Sequence, residues 1–153
     1  MNPSSRTAER KLVGPKGVSL PHLAHIALLV RDYDEALAFY IGKLGFTLVD
    51  DTPVPEQNKR WVTIRPSNAP ATATTILLAR AATPEQARFV GDQAGGRVFL
   101  FLATDDFDRD HAAFTAAGIE WVRPPAVQPY GKVAVFRDLY GNLWDLVQFA
   151  DRD

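Results

Sequence analysis

The 153-residue chain contains no cysteine. Disulfides, thiolate metal sites and cysteine nucleophiles are therefore excluded. Serine is scarce, confined to Ser4, Ser5, Ser19 and Ser67, and none sits in a nucleophile-elbow context, which argues against serine-hydrolase chemistry. There is no glycine-rich phosphate loop, and no apolar run approaches the length of a membrane span. An excess of one charge is lacking too. Lys and Arg number 17 against 18 Asp and Glu, for a formal net charge of −1. That gives no electrostatic case for nucleic acid or for an anionic membrane surface. Residues 1–20 carry Arg6, Arg10, Lys11 and Lys16 without a following apolar stretch of signal-peptide length. They read as a polar N-terminal tail on a cytoplasmic protein.

What is present is a repeat. Residues 23–40 read LAHIALLVRDYDEALAFY, and residues 98–114 read VFLFLATDDFDRDHAAF. Each is a short apolar run, an acidic turn and an apolar pattern at helical spacing. His25, Asp32, Tyr33 and Asp34 recur 74 residues later as Phe99, Asp106, Phe107 and Asp108. Asp32 or Asp34 can cap the first helix, because a carboxylate there accepts orphan backbone N–H groups at the positive helix end. Asp105, Asp106 and Asp108 crowd the start of the second helix. Their spacing lacks the glycine and distal glutamate of a calcium loop, so capping accounts for them. Gly45 and Gly118 stop the two helices.

Each helix is followed by three strands. In the first half these are 46–50, 60–65 and 74–79, with 52–59 as a loop or hairpin end. In the second half they are 119–122, 132–137 and 143–149, with 123–130 as a proline-bearing loop and 138–142 as a hairpin turn. Residues 81–95 form a helical connector that starts at Thr83 and Pro84. The expected organisation is the tail, 1–20, and a single domain, 21–153. That domain comprises modules 21–80 and 96–150 joined by the connector. The fold class is α+β, two βαβββ modules forming a cupped mixed sheet.

The segments HIALLVRDYDEALAFY, LGFTLV, TDDFD, AAGIEWV and, above all, FRDLYGNLWDLVQ resemble the vicinal-oxygen-chelate superfamily, which holds glyoxalase I, bleomycin-resistance proteins and extradiol dioxygenases. The last segment is similar to that family's Asp-Pro-x-Gly-Asn-x-x-Glu hairpin, with Leu139 in place of proline and Asp145 in place of glutamate. The resemblance implies a cup often completed by pairing modules between two subunits, hence a homodimer. It also implies, where a metal is present, ligands from the first and last strands of each module. Carried over, those places are His25, Leu77, Phe99 and Asp145. One imidazole and one carboxylate remain, below the three protein ligands a catalytic zinc usually keeps. Glyoxalase-type isomerisation or ring cleavage would need more donors than this. The metal set would be His25 and Asp145, and the cofactor either none or one divalent metal ion.

Strand alternation groups His25 with Ala27 and Leu29, Phe99 with Phe101 and Ala103, and Leu77 with Thr75 and Ala79. The expected ligand pocket is therefore apolar and aromatic: His25, Trp61, Leu77, Phe99, Phe101, Tyr130 and Asp145. His25 and Asp145 are expected to meet across the cup, within one chain or between subunits. Arg60, Arg97 and Tyr130 are candidates for an anionic group at the rim. His22 belongs at the strand's rim, and His111 should point away from the cup. The reading is a protein that binds a small, partly apolar or aromatic molecule. The alternative is a metal-dependent lyase, isomerase or dioxygenase of the same superfamily with an atypical ligand set. Whether the chain is an enzyme, and which residues would be catalytic, the sequence leaves open.

Overall fold

A computed structural model describes residues 20–151. The tail expected over residues 1–20 lies outside the described residues but for its last position. Two modules follow the same path. The first is β1 (His25–Val30), α1 (Tyr33–Tyr40), β2 (Thr47–Val54), β3 (Lys59–Arg65) and β4 (Thr75–Arg80). The second is β5 (Val98–Ala103), α3 (Phe107–Ala116), β6 (Glu120–Gln128), β7 (Gly131–Arg137) and β8 (Leu143–Phe149). Between them the connector holds α2 (Pro84–Ala87), a single turn capped by Thr83. Each module makes one four-stranded sheet, ordered β1-β4-β3-β2 and β5-β8-β7-β6. The outer pairs β1·β4 and β5·β8 are parallel, and the rest are antiparallel.

The acidic turns cap the helices. Asp32 accepts from the Glu35 N–H at 2.8 Å, and Asp106 accepts from the Arg109 N–H at 3.1 Å. Gly45 and Gly118 follow with φ of 72° and 85°, a conformation that favours glycine and lets the chain leave each helix.

Two stretches read as loops are strands. β2 continues through Pro53 to Val54, and β6 runs through Pro124 and Pro125 to Gln128. Both lie at the outer edge of their sheets. An edge strand needs only one side of its backbone for pairing, so proline's missing N–H is tolerated there. β6 accommodates its prolines with register shifts between Trp121 and Ala126.

The helix-facing sides of both sheets share one core. Leu28, Val30, Val62, Ile64 and Leu78 of the first module join Ala134, Phe136, Trp144 and Leu146 of the second. Trp144 is the junction. Its ring lies 5.8 Å from Tyr40, 6.1 Å from Phe46 and 5.9 Å from Phe136. A side chain of this size contributes a few kcal/mol when taken out of water, on the order of 2–3. The 138–142 hairpin then locks onto α1. The Asp138 carboxylate, 4% exposed, accepts backbone N–H groups of Tyr140, Gly141 and Asn142, each at 2.9 Å. It also accepts the Tyr40 hydroxyl at 2.6 Å. Burial, followed by the Asp138 charge, pushes the Tyr40 hydroxyl well above its usual range, so Tyr40 stays protonated and donates. Gln93 of the connector ties the edge of β1 to the same hairpin, accepting from the Leu29 N–H at 3.0 Å while its own N–H donates to Asn142 at 3.0 Å. With the modules joined through their helix-facing sides, the opposite sheet faces carry the exposed His25 and Phe101 beside the buried Thr63, Thr75, Val135 and Val147. Among the described residues no helix is long and apolar enough to cross a membrane.

Candidate ligand-binding site

On the first module's open face, β4 lies between β1 and β3. His25 of β1 and Trp61 of β3 reach across it and meet edge-to-face, ring centres 5.5 Å apart. The His25 Nδ1 lies 2.5 Å from the Thr75 hydroxyl, its register partner on β4. Trp61, Leu77 and Ala79 line a cavity of about 250 Å³ beside this contact. Leu78 and Ala82 add to that apolar lining, and the rest of the wall is Gln57, Asn58, Lys59, Arg60, Arg80 and Tyr33. The 3-10 turn Pro55–Gln57 and Asn58, at φ 50°, bring that wall over β3 and β4.

The arginines are placed by different partners. Arg60 is held by two carboxylates, Asp51 at 2.7 and 3.1 Å and Asp34 at 2.9 Å. These bonds raise the Arg60 guanidinium above its usual range and hold the Asp51 carboxyl below the usual carboxylate range. Arg80 donates to the Asn58 carbonyl at 2.6 Å. Both guanidinium carbons lie 5.2 Å from the Tyr33 ring centre, within cation–π range.

The second module's open face is different. Phe101, Asp145, Val135 and Arg123 are successive register partners across β5, β8, β7 and β6. Phe101 is 65% exposed. Burial pushes the Asp145 carboxyl up, and the Arg123 charge only partly offsets this. Tyr130 is exposed at the β6–β7 turn, outside the cavity lining. Arg97 is exposed just before β5, and His22 is exposed just before β1. His111 lies on α3, stacked 4.3 Å from Trp121 and 5.6 Å from Phe107, away from the open faces as expected.

Phe99 does not keep the expected company. A register shift between Val98 and Leu100 breaks the alternation of β5. Phe99 therefore packs against the core, edge-on to Trp144 at 6.4 Å, rather than sharing a face with Phe101. Sequence reasoning missed Tyr33 and Arg80. The one available signal was that Tyr33 repeats as Phe107, and both rings carry a cation, Lys132 lying 5.0 Å from the Phe107 centre.

A metal does not fit the four carried-over positions. Leu77 and Phe99 have no donor atom, and Phe99 faces the core. His25 engages Thr75 and Trp61, and nothing within the chain brings Asp145 to it. Among the described residues no three His, Asp or Glu side chains converge.

Two βαβββ modules in one chain, each with its own four-stranded mixed sheet, define the fold class. The chain belongs to the glyoxalase/bleomycin resistance protein/dioxygenase superfamily, whose family model matches residues 22–146. It is 58% identical over 130 residues to an uncharacterized protein of Shewanella frigidimarina (strain NCIMB 400), covering 85% of this chain and 95% of that one. Among solved structures it is similar to UcmS2, with a TM-score of 0.71 and 29% identity over 84% of this chain and 98% of that one. It is also similar to TnmS3, described as an antibiotic-binding protein from Streptomyces sp. CB03234, with a TM-score of 0.68 and 29% identity over 86% and 98%.

Proposed function

We propose that this protein binds a small, partly aromatic molecule on the open face of its first module and acts by sequestering it. The observation that carries this is the cavity lined by Trp61, Leu77 and Ala79, with Asn58, Arg60 and Arg80 as its polar handles. Ligand sites usually combine apolar walls with a few placed polar groups, and run upward from roughly 300 Å³. At about 250 Å³ this cavity suits a body of one or two rings. Similarity to an antibiotic-binding protein supports the same reading. The alternative, a metal-dependent lyase, isomerase or dioxygenase, is disfavoured by a donor set of one imidazole and one carboxylate.

A second copy of the chain would face this module and complete the cup as a homodimer. The large exposed area of Phe101 is the surface it would cover. The test is a thermal-shift screen with one- and two-ring aromatic compounds. A ligand that binds only the folded chain raises its melting temperature in proportion to the logarithm of its concentration over Kd. Some compounds should raise it in the wild type and none should in Trp61→Ala. A shift that survives Trp61→Ala would place the ligand elsewhere, and no shift across the panel would overturn the reading.

A further inference from the structure

We propose that the cavity selects an aromatic molecule carrying an anionic group, with the ring against Trp61 and Leu77 and the anion at Arg80. This rests on the ligand-binding reading above and adds the chemical class of the ligand. Three cations line the cavity, Lys59, Arg60 and Arg80, and no carboxylate does. The cations are not equivalent. Arg60 is already matched by Asp51 and Asp34. Among the described residues no carboxylate lies within 4 Å of Arg80 or Lys59.

Arg80 is nonetheless held in place. The Tyr33 ring supports its guanidinium, and the Asn58 carbonyl takes one Nη2 bond. Asn58 reaches that position in the left-handed region, at φ 50°, which asparagine tolerates better than most residues. A guanidinium has five N–H donors, so a fork of donors is left for a carboxylate, sulfonate or phosphate. Because the fork is fixed before binding, less ordering entropy opposes the contact. Ala79 and Ala82 line the same cavity as Arg80 and Trp61, and their small side chains take up little of it. Arg60 completes the arrangement as a support: tied to two carboxylates, it holds Tyr33 from its own side and has little charge to offer a ligand.

The test compares two probes of the same size and ring system, 2-naphthoate and the neutral 2-naphthamide, by isothermal titration at low salt. The wild type should bind naphthoate about tenfold more tightly, as expected for one charge-assisted contact. Arg80→Gln should lower naphthoate affinity to that of naphthamide, removing the preference. Trp61→Ala should weaken both probes. Equal binding of the two probes by the wild type would overturn the anionic class while leaving the aromatic site standing. So would an Arg80→Gln variant that keeps the preference. Binding of neither probe would overturn the aromatic site and the anionic class together.

Discussion

Across the first module the open face runs Ala27, Leu77, Thr63, Asp50; across the second it runs Phe101, Asp145, Val135, Arg123. The strands and their order are the same, and the chemistry is not. Where one sheet puts alanine and leucine beside a cavity, the other puts an exposed phenylalanine beside a carboxylate. The turns differ in the same way. Residues 138–142 make a short β7–β8 hairpin clamped by one buried carboxylate. Residues 66–74 make a longer β3–β4 link of two consecutive turns, fastened by Ser67 to the Gly45 carbonyl and, at 2.8 Å, to the Thr47 hydroxyl. A duplicated fold can thus keep its core and divide its tasks. The second module supplies the lock that holds the halves together, and the first supplies the cavity.

The largest asymmetry should be at those two turns. Asp138→Ala leaves three backbone N–H groups and the Tyr40 hydroxyl without their buried acceptor, and should cost about 3–5 kcal/mol. Ser67→Ala, at an exposed position, should cost less than about 1 kcal/mol. Urea unfolding of both variants checks this. Similar losses would mean that the two links bear equally on stability.

Next is the pair of phenylalanines on β5. Phe99→Ala removes a ring packed on Trp144 and should cost about 2–4 kcal/mol. Phe101→Ala should change the stability of the monomer by no more than about 0.5 kcal/mol, since the ring is 65% exposed. Chemical denaturation at low protein concentration gives both values. The reverse order would put Phe99 on the open face and return it to the pocket.

That pair also shows where sequence reasoning reaches and where it stops. The repeat, the capping aspartates and the helix-ending glycines are local signals, set by backbone needs within a few residues, and they located the starts and stops of α1 and α3 without tertiary information. The direction of Phe99 depends on a bulge that only pairing with β8 reveals. The second half of β6, from Arg123, reads as a loop because Pro124 and Pro125 are legible, whereas its position at a sheet edge is not. The cavity is less local still. Tyr33 comes from α1, Asn58 follows the 3-10 turn and Arg80 ends β4, and they converge only through the strand order β1-β4-β3-β2. Leu77 was within reach through strand alternation, Trp61 through its size and Arg60 as a rim cation; Tyr33, Lys59 and Arg80 were not.

A smaller effect belongs to His25. Thr75→Val removes the hydroxyl 2.5 Å from its Nδ1 and should cost about 0.5–1.5 kcal/mol. The second module offers no matching bond, because Leu143 pairs with Val98 there. The nitrogen chemical shifts of the His25 ring, followed by NMR, should change in Thr75→Val while those of His111 stay put. An unchanged His25 spectrum would show that Trp61 alone holds the ring.

The smallest effect decides what Asp145 faces. Its folded-state carboxyl is raised above 3.8, chiefly by burial. Below 3.8 it is protonated in both states and contributes nothing to the pH dependence. As the pH rises through 3.8 and past the raised folded value, the unfolded chain releases its proton first, so ionised Asp145 destabilises the fold. Asp145→Asn should then match the wild type near the acid end and exceed it at pH 7, by less than about 1 kcal/mol after solvent screening. Melting temperatures between those limits read the sign. The opposite trend, a wild type that gains on the variant as pH rises, would require a cation that pairs with Asp145 beyond what Arg123 supplies. In an assembled cup His25 of a second copy is the candidate. Repeating the measurement across a dilution series separates the two cases: a trend set within the chain survives dilution, and one set between copies does not.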